Sequence, residues 1–242
     1  MVPVENHLLA ALPSDEYERL FLTQEGVSLS LGQVIYESGE SLEYVYFPTS
    51  SVVSLLYTME DGSTAEMGLV GNDGIVGVAL FLGGDTTPNR AVVQIAGRAL
   101  RMKSKALKSE FSRGGPFQQV LLRYTQALMT QISQTAACNR LHSVEKRLCR
   151  WLLLCHDRIK SDELQMTQEF ISNMMGGRRE SVTIAARRLQ NAGFIHYSRG
   201  HIRILDRKGL EASACECYLI VKAEVDRLRS IDQRISRFKA GN

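Results

Sequence analysis

Arginines crowd into one short stretch: Arg178, Arg179, Arg187 and Arg188, with Glu180, Ser181 and Thr183 among them. All of these side chains can hydrogen-bond along the edge of a flat polar partner. Arg donates two parallel bonds to guanine O6 and N7, Glu accepts from cytosine N4, and Ser or Thr serves either. A guanidinium also matches the geometry of a phosphate. Cations at the start of a helix oppose its macrodipole, so local stability does not explain Arg178 and Arg179. Covalent chemistry has no comparable grouping. His7, His142, His156, His196 and His201 are scattered, and no motif links a nucleophile, a base and an orienting acid. No catalytic residue and no enzyme activity are therefore predicted. Gly71-Asn72-Asp73-Gly74 and Gly83-Gly84 do not continue into the Gly-Lys-[Ser/Thr] of a phosphate-binding loop and read as turns.

Two short helices must position the arginine stretch. Phe170, Ile171 and Met174 recur at helical spacing behind Thr167, a natural N-cap. Gly176-Gly177 then breaks the pattern with a pair able to take positive φ. Val182, Ala186 and Leu189 form the apolar stripe of a second helix that ends near Gly193. Its other face carries Arg178, Arg179, Glu180, Thr183, Arg187 and Arg188, the layout of a helix-turn-helix facing a duplex. Two short strands follow around Ser198-Arg199-Gly200. A hairpin there is a wing, with Arg199 at its tip in reach of a phosphate. Ser181 belongs to the same predicted surface.

The segment GGRRESVTIAARRLQNAGFI resembles the recognition segment of the Crp/Fnr superfamily of bacterial transcription regulators. An R-E-[ST]-V pattern lies there in the family, matched by Arg179, Glu180, Ser181 and Val182. The resemblance implies an α+β chain with three parts. An antiparallel, jelly-roll-like β-roll sensor occupies 1–115, a dimerisation helix 116–142, and a winged helix-turn-helix with a helical extension 143–242. It also implies a homodimer on a palindromic operator in double-stranded DNA, with RNA polymerase as a partner. One position departs: where the best-known branches carry an arginine four residues after the Glu, this chain has Ile184. The operator need not be the usual one.

Composition agrees. A chain of 242 residues has room for two domains, and 44% hydrophobic with 23% charged residues is ordinary for a globular protein. Net charge is only +3, so basic residues are gathered rather than spread. The first residues lack the basic flank and apolar run of a signal peptide, and no stretch approaches the ~20 apolar residues of a membrane span. A cytoplasmic protein without membrane contact is expected.

Short apolar runs at Val27–Leu31, Val34–Tyr36, Tyr44–Phe47, Val52–Met59, Ala65–Val70 and Ala91–Ile95 are predicted strands, punctuated by glycines. Such spacing indicates a compact antiparallel barrel or sandwich. In the resemblance this is a cyclic-nucleotide-binding-like roll, whose phosphate cassette places Gly-Glu-Leu before a short helix and an Arg with a small residue after it. Gly77-Val78-Ala79 stands in the first place and Arg90-Ala91 in the second. Val78 removes the ribose acceptor, a loss of about 1–3 kcal/mol, which disfavours a cyclic nucleotide. A cyclic nucleotide, another small effector and no effector remain open, as does Arg90 as a plain surface residue.

From Pro116 the chain turns helical. Leu121, Tyr124, Leu128, Ile132, Thr135 and Leu141 give a heptad-like stripe that suits either a dimer seam or an interdomain helix. Leu210, Ala214, Cys217, Val221, Val225 and Leu228 predict a further helix capped by Asp206, packed on its own domain or on a dimer partner. Five cysteines, Cys138, Cys149, Cys155, Cys215 and Cys217, read as reduced thiols. Fnr-type sensors hold an iron–sulfur cluster on cysteines near the N-terminus, where this chain has none, so no cluster is expected. Cys215-Glu216-Cys217 offers two thiolates and no neighbouring His, so no metal is expected either. The rival reading of the whole chain is a ligand-binding signalling module whose basic helix docks a protein partner.

Overall fold

The computed structural model describes residues 5–175 and 179–240, the last ten as backbone only. Two short helices lead in, α1 (His7–Ala10) and α2 (Ser14–Phe21). Asn6 caps α1 through Oδ1, while its buried Nδ2 donates to Pro48 O and Gly74 O, each at 2.9 Å. Seven strands follow: β1 (Gln24–Leu29), β2 (Val34–Tyr36), β3 (Tyr44–Pro48), β4 (Val52–Thr58), β5 (Thr64–Val70), β6 (Arg90–Ile95) and β7 (Gly97–Lys103). They form two antiparallel sheets, ordered β1-β7-β3 and β2-β6-β4-β5. Sequence reading placed six of these strands. It did not find β7, nor the helix behind it, α3 (Ser104–Ser112).

The four-stranded sheet is buried on both faces, so β4 and β6 read as nearly continuous apolar runs rather than alternations. Val53 and Leu55 of β4 and Ala91 and Val93 of β6 point into the roll's own core. Their neighbours Val52, Leu56 and Val92 join a second core, shared with the C-terminal half.

Helix α4 (Gly115–Leu141) runs along the roll, and α5 (Val144–His156) follows it. The stripe expected to form the dimer seam is turned inward. Leu121, Tyr124, Leu128 and Thr135 are buried within this chain, against the roll and the C-terminal helix; only Leu141 stands exposed. The exposed side of α4 is a different heptad, Gln119, Leu122, Gln126, Met129, Ser133, Ala136 and Arg140, of which Gln126 also reaches the C-terminal helix. Two apolar faces on one long helix explain the error, because a strong inward stripe hides a weaker outward one.

The rest of the chain is β8 (Glu163–Gln165), α6 (Gln168–Met175), α7 (Arg179–Asn191), β9 (Ile195–Ser198), β10 (His201–Ile204), α8 (Arg207–Ser213) and α9 (Glu216–Ala240). β8 adds a third strand to the wing sheet, ordered β8-β10-β9. The predicted tail helix is two helices. Asp206 does cap the first, accepting from Gly209 N at 3.0 Å. The second, α9, lies against α4 of its own chain, burying Val221 and Leu228 and accepting from Gln126 through Glu224 at 3.0 Å.

Charge is sealed between the roll and α5. Arg158 pairs with Asp73 at 2.8 Å, both nearly buried, and its stem lies on Gly71, where a Cβ would stand 2.6 Å away. Gly71 and Gly74 sit in a turn, as expected, yet their φ is not positive; what they supply is room for Arg158 and Tyr124. Trp151 Nε1 donates to Glu66 at 2.9 Å. Ser54 Oγ lies 2.7 Å from Glu66 and also bonds Gln94 Oε1. One hydroxyl hydrogen cannot serve two acceptors, so this arrangement is complete when Glu66 carries its own proton. Burial pushes the Glu66 carboxyl up to about 7, against the pull of these hydrogen bonds and of Arg150 and Arg158.

Candidate nucleic-acid interface

Three elements hold α7. Its apolar side, Val182, Ala185, Ala186 and Leu189, is fully buried and packs mainly on α5. Thr167 Oγ1 caps α6 by accepting from Phe170 N at 3.1 Å. Arg147 on α5 donates to Met175 O, supplying a partner to a carbonyl in the last turn of α6. Gly193 takes φ +78° just past α7, the left-handed C′ conformation that ends a helix. The predicted Gly176-Gly177 turn and Arg178 lie outside the described residues.

With one side fixed, the other follows from the 3.6-residue period. Arg179, Glu180, Ile184 and Arg187 are exposed along it, with Ser181 and Thr183 half-buried. Arg179 and Arg187 form no ion pair among the described residues. Thr183 donates its hydroxyl hydrogen to Arg179 O at 2.9 Å, a bond that ties its side chain back to the first turn of α7. Arg188, one step round the helix, is tied to Glu145 at 3.2 Å and belongs to the scaffold. At the wing tip Arg199 is exposed with φ +48°, followed by Gly200 at +81°, the two left-handed residues that close the turn between β9 and β10. Ile184, the position where the sequence departs from the family's arginine, is 52% exposed in the middle of the polar row, where an apolar side chain suits a thymine methyl.

The second predicted site is arranged differently. Gly77 has φ +103° and opens a single 3-10 turn, Val78–Phe81. Arg90 lies beyond it, but donates to Glu37 at 3.0 Å. Ala91, its neighbour, is fully buried in the roll core and offers only a small side chain there. A cavity of about 330 Å³ lies elsewhere, between α1, α4 and α9, near His7, Tyr124, Arg158 and Arg229.

The cysteines are gathered more closely than the sequence indicated. Cys138, Cys215 and Cys217 form a small buried cluster, and His142 reaches it from the end of α4. The expectation of no metal rested on the lack of a neighbouring His, and that ground is removed. Cys149 and Cys155 lie apart, buried in the shared core with their thiols pushed up by desolvation.

A β-roll, a long helix and a winged helix-turn-helix with an open basic face define a two-domain DNA-binding regulator. The sequence profile of the Crp-like helix-turn-helix domain matches residues 146–213, and that of the cyclic nucleotide-binding domain matches 27–113. Together the two profiles mark a Crp/Fnr-type transcription regulator. No curated protein sequence matches it. Among solved structures it is similar to FixK2 of Bradyrhizobium japonicum, with TM-score 0.68 and 17% identity over 79% of this chain and 98% of that one. The c-di-GMP-responsive global regulator CLP of Xanthomonas campestris gives TM-score 0.63 at 17% identity, over 79% and 99%. A Crp/Fnr-family regulator of Thermus thermophilus gives 0.55 at 24%, over 78% and 98%. Identities this low speak for the fold alone. No helix among the described residues is long and apolar enough to cross a membrane.

Proposed function

We propose that this protein acts in the cytoplasm as a homodimer that reads a palindromic operator. The observation that carries this is the row Arg179, Glu180, Thr183 and Arg187 on α7, with Arg199 at the tip of the wing that follows, whose arginines form no ion pair among the described residues. Cations left unpaired there suit a polyanion outside the chain. Arg179, Glu180 and Thr183 read base edges; Arg178, Arg187 and Arg199 hold phosphates, with Ser181 beside them. One such helix covers few base pairs, and a twofold pair covers two half-sites about one turn apart. The exposed heptad of α4, with Leu122 and Met129 at its centre, supplies a seam for that pairing. RNA polymerase is the further partner, and the chain carries out no catalysis.

Operator binding needs neither a cyclic nucleotide nor an iron–sulfur cluster. Val78 lacks the ribose acceptor, and Arg90 is already neutralised by Glu37. The test is selection from a random duplex library, with and without cyclic AMP and cyclic GMP, followed by a salt titration on the selected site. A palindrome enriched without nucleotide, with log affinity falling linearly against log salt, is expected. Enrichment only with a nucleotide would overturn the effector reading, and a salt-insensitive interaction would overturn the DNA reading.

A further inference from the structure

We propose that Cys138, His142, Cys215 and Cys217 form a mononuclear zinc site that staples the two ends of the DNA-binding unit to the long helix α4. The geometry is that of four ligands around one ion. Their donor atoms all lie within 4.8 Å of one another. Cys138 Sγ is 3.4 Å from Cys215 Sγ, and Cys217 Sγ is 3.6 Å from His142 Nδ1. Tetrahedral zinc with ~2.3 Å bonds to sulfur has ligand–ligand edges of about 3.8 Å, so the four need shift by no more than about 1 Å to close around the ion. An iron–sulfur cubane, with an iron behind each ligand, would require them to spread further.

The surroundings fit a metal better than they fit packing. His142 Nε2 lies 3.3 Å from Glu216 Oε1. A proton held there by the carboxylate leaves the Nδ1 lone pair facing the three sulfurs, the carboxylate–histidine relay that orients zinc ligands. Packing alone gives no reason for a ring nitrogen and three sulfurs to converge. Three thiolates and a neutral His around Zn²⁺ leave one net negative charge. Arg150, nearly buried and bonded to Thr135 Oγ1 at 3.1 Å, is the cation whose charge acts on Cys138 and Cys217.

Position gives the site its consequence. Cys138 and His142 occupy the end of α4 and the residue after it; Cys215 and Cys217 flank the junction of α8 and α9. The chain from Ser143 to Ala214, the entire winged helix-turn-helix, is the loop that the ion closes. Zinc bound there would fix the bend at His142–Ser143 that sets the recognition helix relative to α4.

The experiment is metal analysis of the full-length reduced protein, followed by replacement with Co²⁺. One zinc per chain is expected, and the cobalt form should show the thiolate-to-metal bands and intense d–d absorption of a tetrahedral sulfur-rich site. Cys215→Ser should abolish both. Glu216→Gln, an exposed position that leaves packing intact, should weaken metal affinity by about 10–100-fold. Neither readout involves DNA, so failure here leaves the operator reading standing. Reduced protein that binds neither Zn²⁺ nor Co²⁺ in a one-to-one ratio would overturn the proposal, as would iron with sulfide, a Cys138–Cys215 disulfide in place of metal, or unchanged affinity in Glu216→Gln.

Discussion

Charged groups meet opposite fates at two surfaces of the C-terminal half. Where α5 meets the roll, Arg158 is locked to Asp73, and Glu66 is enclosed by Ser54 and Trp151. Along α7 and the wing, Arg179, Arg187 and Arg199 stand in solvent without an ion pair among the described residues. The difference follows from hydration. A desolvated charge must be paired or neutralised, whereas a hydrated one can wait for a partner. Arginine count alone does not mark a binding face. Unpaired arginines on a rigid, one-sided helix do.

Four experiments test that contrast. Asp73→Ala would leave Arg158 charged and stranded, and should cost about 3–5 kcal/mol of stability by denaturant unfolding. Operator affinity of the protein that remains folded should be unchanged. A cost below ~1 kcal/mol would place the pair in the solvated class. Next is Glu66, whose folded-state pKa of about 7 lies above the ordinary 4.5. The folded form therefore keeps a proton that the unfolded form has lost, and stability falls as pH rises across that window. The loss is complete above pH 7 and amounts to up to about 3 kcal/mol. Glu66→Gln should flatten this part of a melting-temperature profile; an unaltered slope would assign the proton elsewhere.

On the open face, Arg179→Ala should leave the melting temperature alone while weakening operator binding by about 1–3 kcal/mol and relaxing preference at one base position. Wild-type affinity in that variant would remove Arg179 from the reading set. Arg199→Ala should have the smallest effect. Binding should weaken equally on all sequences, with the salt slope reduced by about one. A change in sequence preference would instead make the wing a reader of bases.

The recognition segment was legible in sequence because its signals are local: a cap, a break, a 3.6-residue stripe and a stop, all within about thirty residues. The features that escaped depend on distant partners. Strand β7 buries only Ala99 and Met102 among Arg98, Arg101 and Lys103, so it shows no clean alternation. Strand β8 is too short to display a period. Outward positions of β4 looked like a simple run because the helix that covers them, α5, lies far along the chain. His142 could not be matched to Cys215 and Cys217, since only the return of α9 along α4 brings them together. The α4 seam was misread for a related reason: sequence shows that a helix has apolar faces, not which of them its own chain already covers.

That return path has a mechanical meaning. The winged helix-turn-helix leaves α4 at His142, and α9 carries the chain back past Gln126 to Arg229, which bonds His7 of α1. A body joined at one end swings like a door, but one that is also strutted along its frame does not. Any rotation of the recognition helix must drag α4 and the roll with it, or else peel Val221 and Leu228 off α4 and part the core shared with β4 and β6. Motion in this chain is therefore geared: what moves the reading head has to turn the shaft.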